Sequence, residues 1–437
     1  MTTHGGRPLP FLAVASLVVG FLFVLPPAAA PQVAPKIGAV HVKGLSRFKE
    51  AQVFPILKIS PGSPFDQSAL LTATQALGET GAFEEVRYSY RPENGAVTVD
   101  FLVKETAKFR RCLFDNFPFA SSAEIVAYVQ RKVPLFDGSA PDTGSMLEEV
   151  DWVLADFAKS RGVSATVQHQ PYTRLGSSDL EYVFRLSGAS IKISAVHFTG
   201  NQAIAEPDLL REAQPLVGRD FSLVSCREFG VNVFVPYYTE RGFLKVKLAD
   251  ATSEIVQAST AADSFNIRVA YPVTEGLVYL WDGAQWQGNL ALEPDQLNSL
   301  SQLKPGDVAN SRKIEATWEA IAKEYGKRGY IRLRLKPTPV FDDAARKVQF
   351  HTEVVEGDQY RMGVFTTEGF PAEATEKLLS RWKLKPGDIF DSSYPNAFLS
   401  REAGAFVPRS GSKPPKITMP ESLDSVAHTV NVTLRLE

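Results

Sequence analysis

Cysteine is nearly absent from this chain: Cys112 and Cys226 are the two in 437 residues. Two cannot make a disulfide framework, and they fall in different parts of the chain, so isolated thiols are expected. Six histidines (His4, His41, His169, His197, His351, His428) stand singly, none at the spacing that sets two ligands on one helix face. No metal site is expected. A phosphate-binding glycine loop, a nucleophile elbow and a dinucleotide fingerprint are also missing, which leaves no cofactor and no catalytic residue to nominate. The reading is of a protein that is not an enzyme. Excess charge of one sign is lacking too. The 47 Lys and Arg nearly balance 49 Asp and Glu, so nothing favours nucleic acid as a partner. One apolar run occurs, Phe11 to Leu25, with Arg7 before it and Pro26-Pro-Ala-Ala-Ala30 after it. It is short of the ~20 residues that cross a bilayer and has the order of an export signal, so residues 1–30 read as a signal peptide. Pro31, directly after the small residues, leaves an uncleaved inner-membrane anchor open.

What the sequence does have is repetition. Gly44/Gly62, Gly200/Gly218, Gly288/Gly306 and Gly369/Gly387 are pairs each eighteen residues apart. An alternating, strand-like stretch such as Ile37 to Val42 precedes each first glycine, and a helix-like stretch separates it from the second. A fixed internal pattern means one small unit copied in tandem. The first copy gives the order. Ile37–Val42 reads as a strand and Ser46 as the cap of a first helix, Phe48 to Lys58, that Pro55 ends or kinks. Phe65 to Leu77 reads as a second helix with Ala69, Leu70, Ala73 and Leu77 on one face, stopped at Gly81. Val86–Tyr90 and Val97–Val103 read as strands joined by Asn94-Gly95, a hairpin signal.

The same order recurs from Ile191, from Leu277 and from Tyr360, where Gly404 is read as the helix stop. Between Lys108 and Ser187 lies a degenerate copy, in which Gly138 takes the place of the second glycine. The expected architecture is α+β: five β-α-α-β-β units, each a three-stranded mixed sheet covered by two helices. Their bounds are read as 36–106, 107–188, 189–275, 276–356 and 357–437. Trp281, Trp286 and Trp382 are read as packing residues, because units of roughly 80 residues need large side chains to fill a core.

This unit resembles the POTRA (polypeptide-transport-associated) domain. The shared details are the glycine after strand one, the glycine with Phe or Tyr behind it before strand two, and Glu275-Gly276 and Glu356-Gly357 after strand three. The resemblance implies a periplasmic binding scaffold, associated with the outer membrane, for outer-membrane protein assembly or polypeptide export. Unfolded outer-membrane clients or a separate outer-membrane β-barrel protein would be its partners. A scaffold held on the periplasmic face of the inner membrane is the alternative. Family members with five such units usually continue into a membrane barrel. The many ten-residue alternating segments of a barrel are not found among these residues. The barrel is absent, supplied by another chain, or cut from the sequence.

In the POTRA fold strand three lies centrally and strand two at an edge, where an extended segment can add as a further strand. Lysine and arginine discourage such addition. Lys245 and Lys247 are read as guarding the edge of unit three, and Arg332, Arg334 and Lys336 that of unit four. Unit two, read over Val163–Gln170, has neither residue type. Val163, Ala165, Val167 and His169 are therefore the candidate partner-binding residues, with a covered edge as the competing explanation.

Overall fold

The computed structural model describes residues 35–174, 177–259, 264–402 and 416–437. The export-signal reading of residues 1–30 and the helix stop at Gly404 lie outside them. The chain forms two compact units, one up to Phe109 with Pro141–Met146 and one of Arg110–Ala140 with Leu147–Glu437.

Five mixed sheets follow one another along the sequence. In the first, Ile37–Lys43 runs parallel to Ala96–Glu105, and Phe83–Glu93 pairs antiparallel on the other side. The middle strand is the most apolar because both its flanks are occupied: Val97, Val99, Phe101 and Val103 are all buried. Asn94 and Gly95 take φ of 50° and 78° in the hairpin, the paired positive values of a tight I′ turn. The same order, first strand parallel to third and second antiparallel, holds for Ser190–Thr199, Leu280–Gln287 and Arg361–Glu368 with their partners. The second repeat, built on Phe109–Phe114, Leu180–Ser187 and Thr166–Thr173, adds a short fourth strand, Ser139–Pro141. Among the described residues the sheets of the third and fifth repeats also count four strands, because their second strand is split in two, and those of the first and fourth count three.

The eighteen-residue glycine spacing has a geometric cause. In four repeats the second glycine comes back to the outer edge of strand one. Gly62 donates its N–H to Ile37 at 2.7 Å, and Gly218, Gly306 and Gly387 do the same to Ile193, Trp281 and Met362 at 2.8 Å. In the second repeat Cys112 donates to Gly138 at 2.9 Å, and Gly138 has φ of 95°. Gly138 shares the φ of the second glycines but accepts the bond that elsewhere goes to the residue after them, as Ile37 N donates to Ser63 and Ile193 N to Arg219. Strand one's outer edge is thus partly closed in each repeat.

The two glycines of a pair are required for different reasons. All eight have positive φ, a region costly for any other L-residue. At the first of each pair a Cβ would also lie 2.1, 2.2, 2.5 or 2.3 Å from the carbonyl oxygen of Val103, Val273, Val354 or Leu436 on strand three. At the second a Cβ would meet nothing within 4 Å.

Local readings shift by a few residues. The first helix is Glu50–Leu57 and tolerates Pro55, ending at Lys58 in the left-handed region. Ser46 does not cap it; its hydroxyl and N–H bond to Glu105 instead. The second helix, Gln67–Glu79, starts at Asp66, whose carboxylate accepts from Ser68 N. Trp281 is buried and Trp382 stacks on Phe365 at 4.0 Å, both in core clusters. Cys112 and Cys226 are free and buried.

Candidate functional site

A carboxylate two residues past the glycine contact on strand three fastens the turn after the first glycine. Glu275 accepts from the N–H of Gln202, Ala203 and Ile204 and from the Tyr238 hydroxyl. Glu356 accepts from Leu290 N, Ala291 N and the Tyr325 hydroxyl. Glu105 accepts from Ser46, Arg47 and Phe48. Burial works to raise the Glu275 and Glu105 pKa, but these donors outweigh it and hold both carboxyls below their usual range. The glycine after Glu275 and Glu356 has φ of 76° and 73° and turns the chain into the next repeat.

Within the larger unit, successive repeats are joined residue for residue. Tyr279 and Tyr360 donate their N–H to Gly242 and Gly329 at 2.9 and 2.8 Å. Lys245 and Arg332, three residues after those glycines, lie over the Tyr279 and Tyr360 rings. Lys245 pairs with Asp343 and Arg332 bonds to Ser425. Leu244 and Ile331 pack against the cores of the following repeats. Lys245 and Arg332 are therefore junction residues, not guards of a sheet edge. The segments 244–246 and 331–333, read as strand, are connectors that serve two cores: Leu244 and Ile331 pack on the following repeat, while Leu333 and Leu335 pack on the core of the fourth repeat itself. The edge strand of the third repeat is Lys247–Leu248 with Thr252–Ser259, and that of the fourth is Arg334–Asp342.

The second and third repeats meet through Asp115, whose side chain is fully buried. It accepts from Val224 N at 2.8 Å and Ser222 Oγ at 2.9 Å, and it pairs with Arg185 at 2.7 Å. Ser222 is also the cap of the helix Leu223–Phe229. This anchor was missed in the sequence, where Asp115 carries no motif.

The second strand is the open edge of each sheet, and the five edges differ. Phe83–Glu93 carries Arg87, Arg91 and Pro92 and shifts register near its start. Thr252–Ser259 has no lysine or arginine, a point the reading of unit three overlooked, but it bulges between Ile255 and Gln257. Arg334–Asp342 carries Arg334, Lys336, Pro337 and Pro339. In the fifth repeat the edge is broken into Ile417–Thr418 and Glu421–Asp424. Charge, proline, bulges and shortness are the ordinary protections of an edge. Thr166–Thr173 has no charged residue, eight residues in unbroken register with Leu180–Ser187, and one proline, Pro171. Among the described residues no strand pairs with its outer side.

Proline fits a ladder where its missing N–H would face away from the neighbour. Val167 and His169 share the parity of Pro171, so their N–H and C=O groups turn away from Leu180–Ser187 while their side chains face the helices, and the His169 N–H lies toward the Asp151 carboxylate. The other two nominated residues lie elsewhere. Val163 is wholly buried and, with Ala165, precedes the strand, which starts at Thr166.

Beside this edge is a groove of about 300 Å³ lined by Glu148, Asp151, Trp152, Ala155, Thr166 and Val167. The helix Met146–Ser160 supplies the first four. Asp151 Oδ2 lies 2.7 Å from His169 Nδ1, and Oδ1 is buried with no hydrogen-bond partner among the described residues. Burial is the main cause of a raised Asp151 pKa, with the pairing to His169 acting against it. Trp152 is 78% exposed.

Two of these repeats match a known family. The family model described as POTRA, surface antigen variable number repeat, matches residues 35–106 and 281–357. A Treponema pallidum protein named as a candidate outer membrane protein assembly factor is 23% identical over 365 residues, covering 82% of this chain and 43% of its own length. The outer membrane protein assembly factor BamA of Neisseria meningitidis is 19% identical over 347 residues, covering 73% of this chain and 40% of its own. The chain thus spans less than half the length of these curated relatives. Among solved structures, POTRA domains 3–5 of Haemophilus influenzae BamA align at 20% identity and a TM-score of 0.44, over 56% of this chain and 96% of that one. No group of three or more His, Cys, Asp or Glu able to hold a metal occurs among the described residues. Nor is any helix among them long and apolar enough to cross a membrane.

Proposed function

We propose that this chain is a periplasmic, outer-membrane-associated binding scaffold for outer-membrane protein assembly or polypeptide export. It acts by binding and not by catalysis. Its partners are unfolded outer-membrane polypeptides or extended segments of a separate outer-membrane β-barrel protein, taken as an added strand. The observation that carries this reading is the edge Thr166–Thr173: uncharged, unbulged and unpaired on its outer side. Backbone pairing recognises an extended chain whatever its sequence, which suits a receptor for many clients. The two curated relatives, both named for outer-membrane assembly, support the cellular setting.

The test replaces Val167 with proline, which removes one outward N–H from the edge. Binding of an unfolded outer-membrane polypeptide to the full chain should fall about tenfold or more, the scale of losing roughly one to two hydrogen bonds. Circular dichroism and the melting temperature report whether the fold holds. Leu335→Pro, on the edge already carrying Arg334, Lys336, Pro337 and Pro339, should leave binding nearly unchanged. Equal loss at both edges, or undiminished binding by folded Val167→Pro, would show that this edge is not the receptor.

A further inference from the structure

The groove beside Thr166–Thr173 carries a side-chain selectivity that strand pairing alone does not explain. A tryptophan that is 78% exposed on a structured helix is unusual by its area alone. Its position, ten residues before the helix-ending Gly162, is held by Leu71 before Gly81, Asn232 before Gly242 and Glu319 before Gly329. The aromatic therefore belongs to the second repeat and not to the POTRA pattern of this chain. One helical turn earlier on the same groove wall stands Glu148, exposed and without an ion pair among the described residues. Asp151 lies between them with its Oδ2 taken up by His169, which leaves Glu148 as the free carboxylate of the wall. Among the described residues no lysine or arginine lines the groove.

We infer that this groove selects extended segments bearing an arginine, whose guanidinium stacks on the Trp152 indole and pairs with the Glu148 carboxylate. The inference rests on the strand-addition reading above. A strand added along Thr166–Thr173 would set every second side chain toward the helix layer, next to Val167 and hence over the groove. Arginine meets both features at once. Its planar cation stacks on an aromatic face while its fork of donors still reaches a carboxylate. Lysine offers a point charge without the flat face, and an acidic side chain would be repelled by Glu148.

The test uses synthetic heptapeptides of alternating threonine and valine, differing only in a central Arg, Lys, Ala or Glu, each titrated onto the full chain at low salt by fluorescence anisotropy. The expected order is Arg, Lys, Ala, Glu, with arginine roughly tenfold tighter than alanine. Trp152→Ala and Glu148→Gln each change an exposed side chain. Each should shrink that ratio to about twofold. Equal affinities for the Arg and Glu peptides, or a ratio unchanged in both variants, would overturn arginine selection, and loss of binding in Val167→Pro would still uphold the edge. If no peptide binds, or if Val167→Pro binds all four as well as the parent, the edge reading fails and this inference with it.

Discussion

Gly200→Ala and Gly218→Ala add the same methyl group to the two glycines of one pair, and they should differ in cost. Both positions have positive φ, 81° and 85°, so both lose about 1–2 kcal/mol to the left-handed conformation. Both regain about 0.4–1 kcal/mol from a less flexible unfolded chain. At Gly218 nothing lies within 4 Å of the new Cβ, so the net cost there should be about 0.5–1 kcal/mol. At Gly200 the Cβ would sit 2.2 Å from the Val273 carbonyl oxygen. That oxygen belongs to the central strand, held by partners on both sides, so the backbone must move. Overpacking of this kind adds about 1–3 kcal/mol, for a total near 2–4. The assay is native-state hydrogen exchange of the Ile267 and Val269 amides at increasing urea. It reads the third repeat by itself and does not require the whole chain to unfold in one step. Equal destabilisation by the two substitutions, or the reverse order, would refute the explanation of the glycine spacing.

Glu275→Gln should destabilise the third repeat by about 2 kcal/mol, since its donors would face a neutral acceptor with one oxygen in place of a carboxylate. The pH dependence follows from the depressed pKa of Glu275 and Glu105. Their contribution is complete above the unfolded carboxylate range, roughly pH 4.3, and is lost as pH falls through the lower folded-state value. Urea midpoints measured from pH 6 to pH 3 should therefore fall, and less steeply in Glu275→Gln than in the parent. Asp115→Ala strips the acceptor from Val224 N, Ser222 Oγ and Arg185 and should cost about 2–3 kcal/mol. Faster exchange at the start of the helix Leu223–Phe229, with the fourth and fifth repeats unaffected, would check it.

Much of the fold was legible because glycine is needed wherever backbone meets backbone. Gly44, Gly200, Gly288 and Gly369 each face a strand-three carbonyl, and that constraint recurs at fixed spacing. Glu275-Gly276 and Glu356-Gly357 were visible as junction marks, although their use as a carboxylate clasp on a distant turn was not. The edges were less legible. Leu244–Leu248 and Ile331–Leu335 alternate like strands, yet Leu244 and Ile331 at their starts pack on the following repeat's core, a pairing that no local pattern displays. The second repeat's edge was set three residues early, at buried Val163, which closes the end of the preceding helix through Ala158, in place of Thr166. Trp152 was overlooked because amphipathic spacing explains a helix and does not show which of its side chains stands clear.

The most direct measurement of the central claim is amide hydrogen exchange at Val167 and His169, with and without an unfolded outer-membrane polypeptide. Strand addition turns their outward N–H groups into ladder donors, so exchange at both should slow by about tenfold or more at saturating client. Thr252–Ser259, the bulged edge, should change little. A bound client that leaves Val167 and His169 exchanging at their free rate, and protects Thr252–Ser259 instead, would contradict the account.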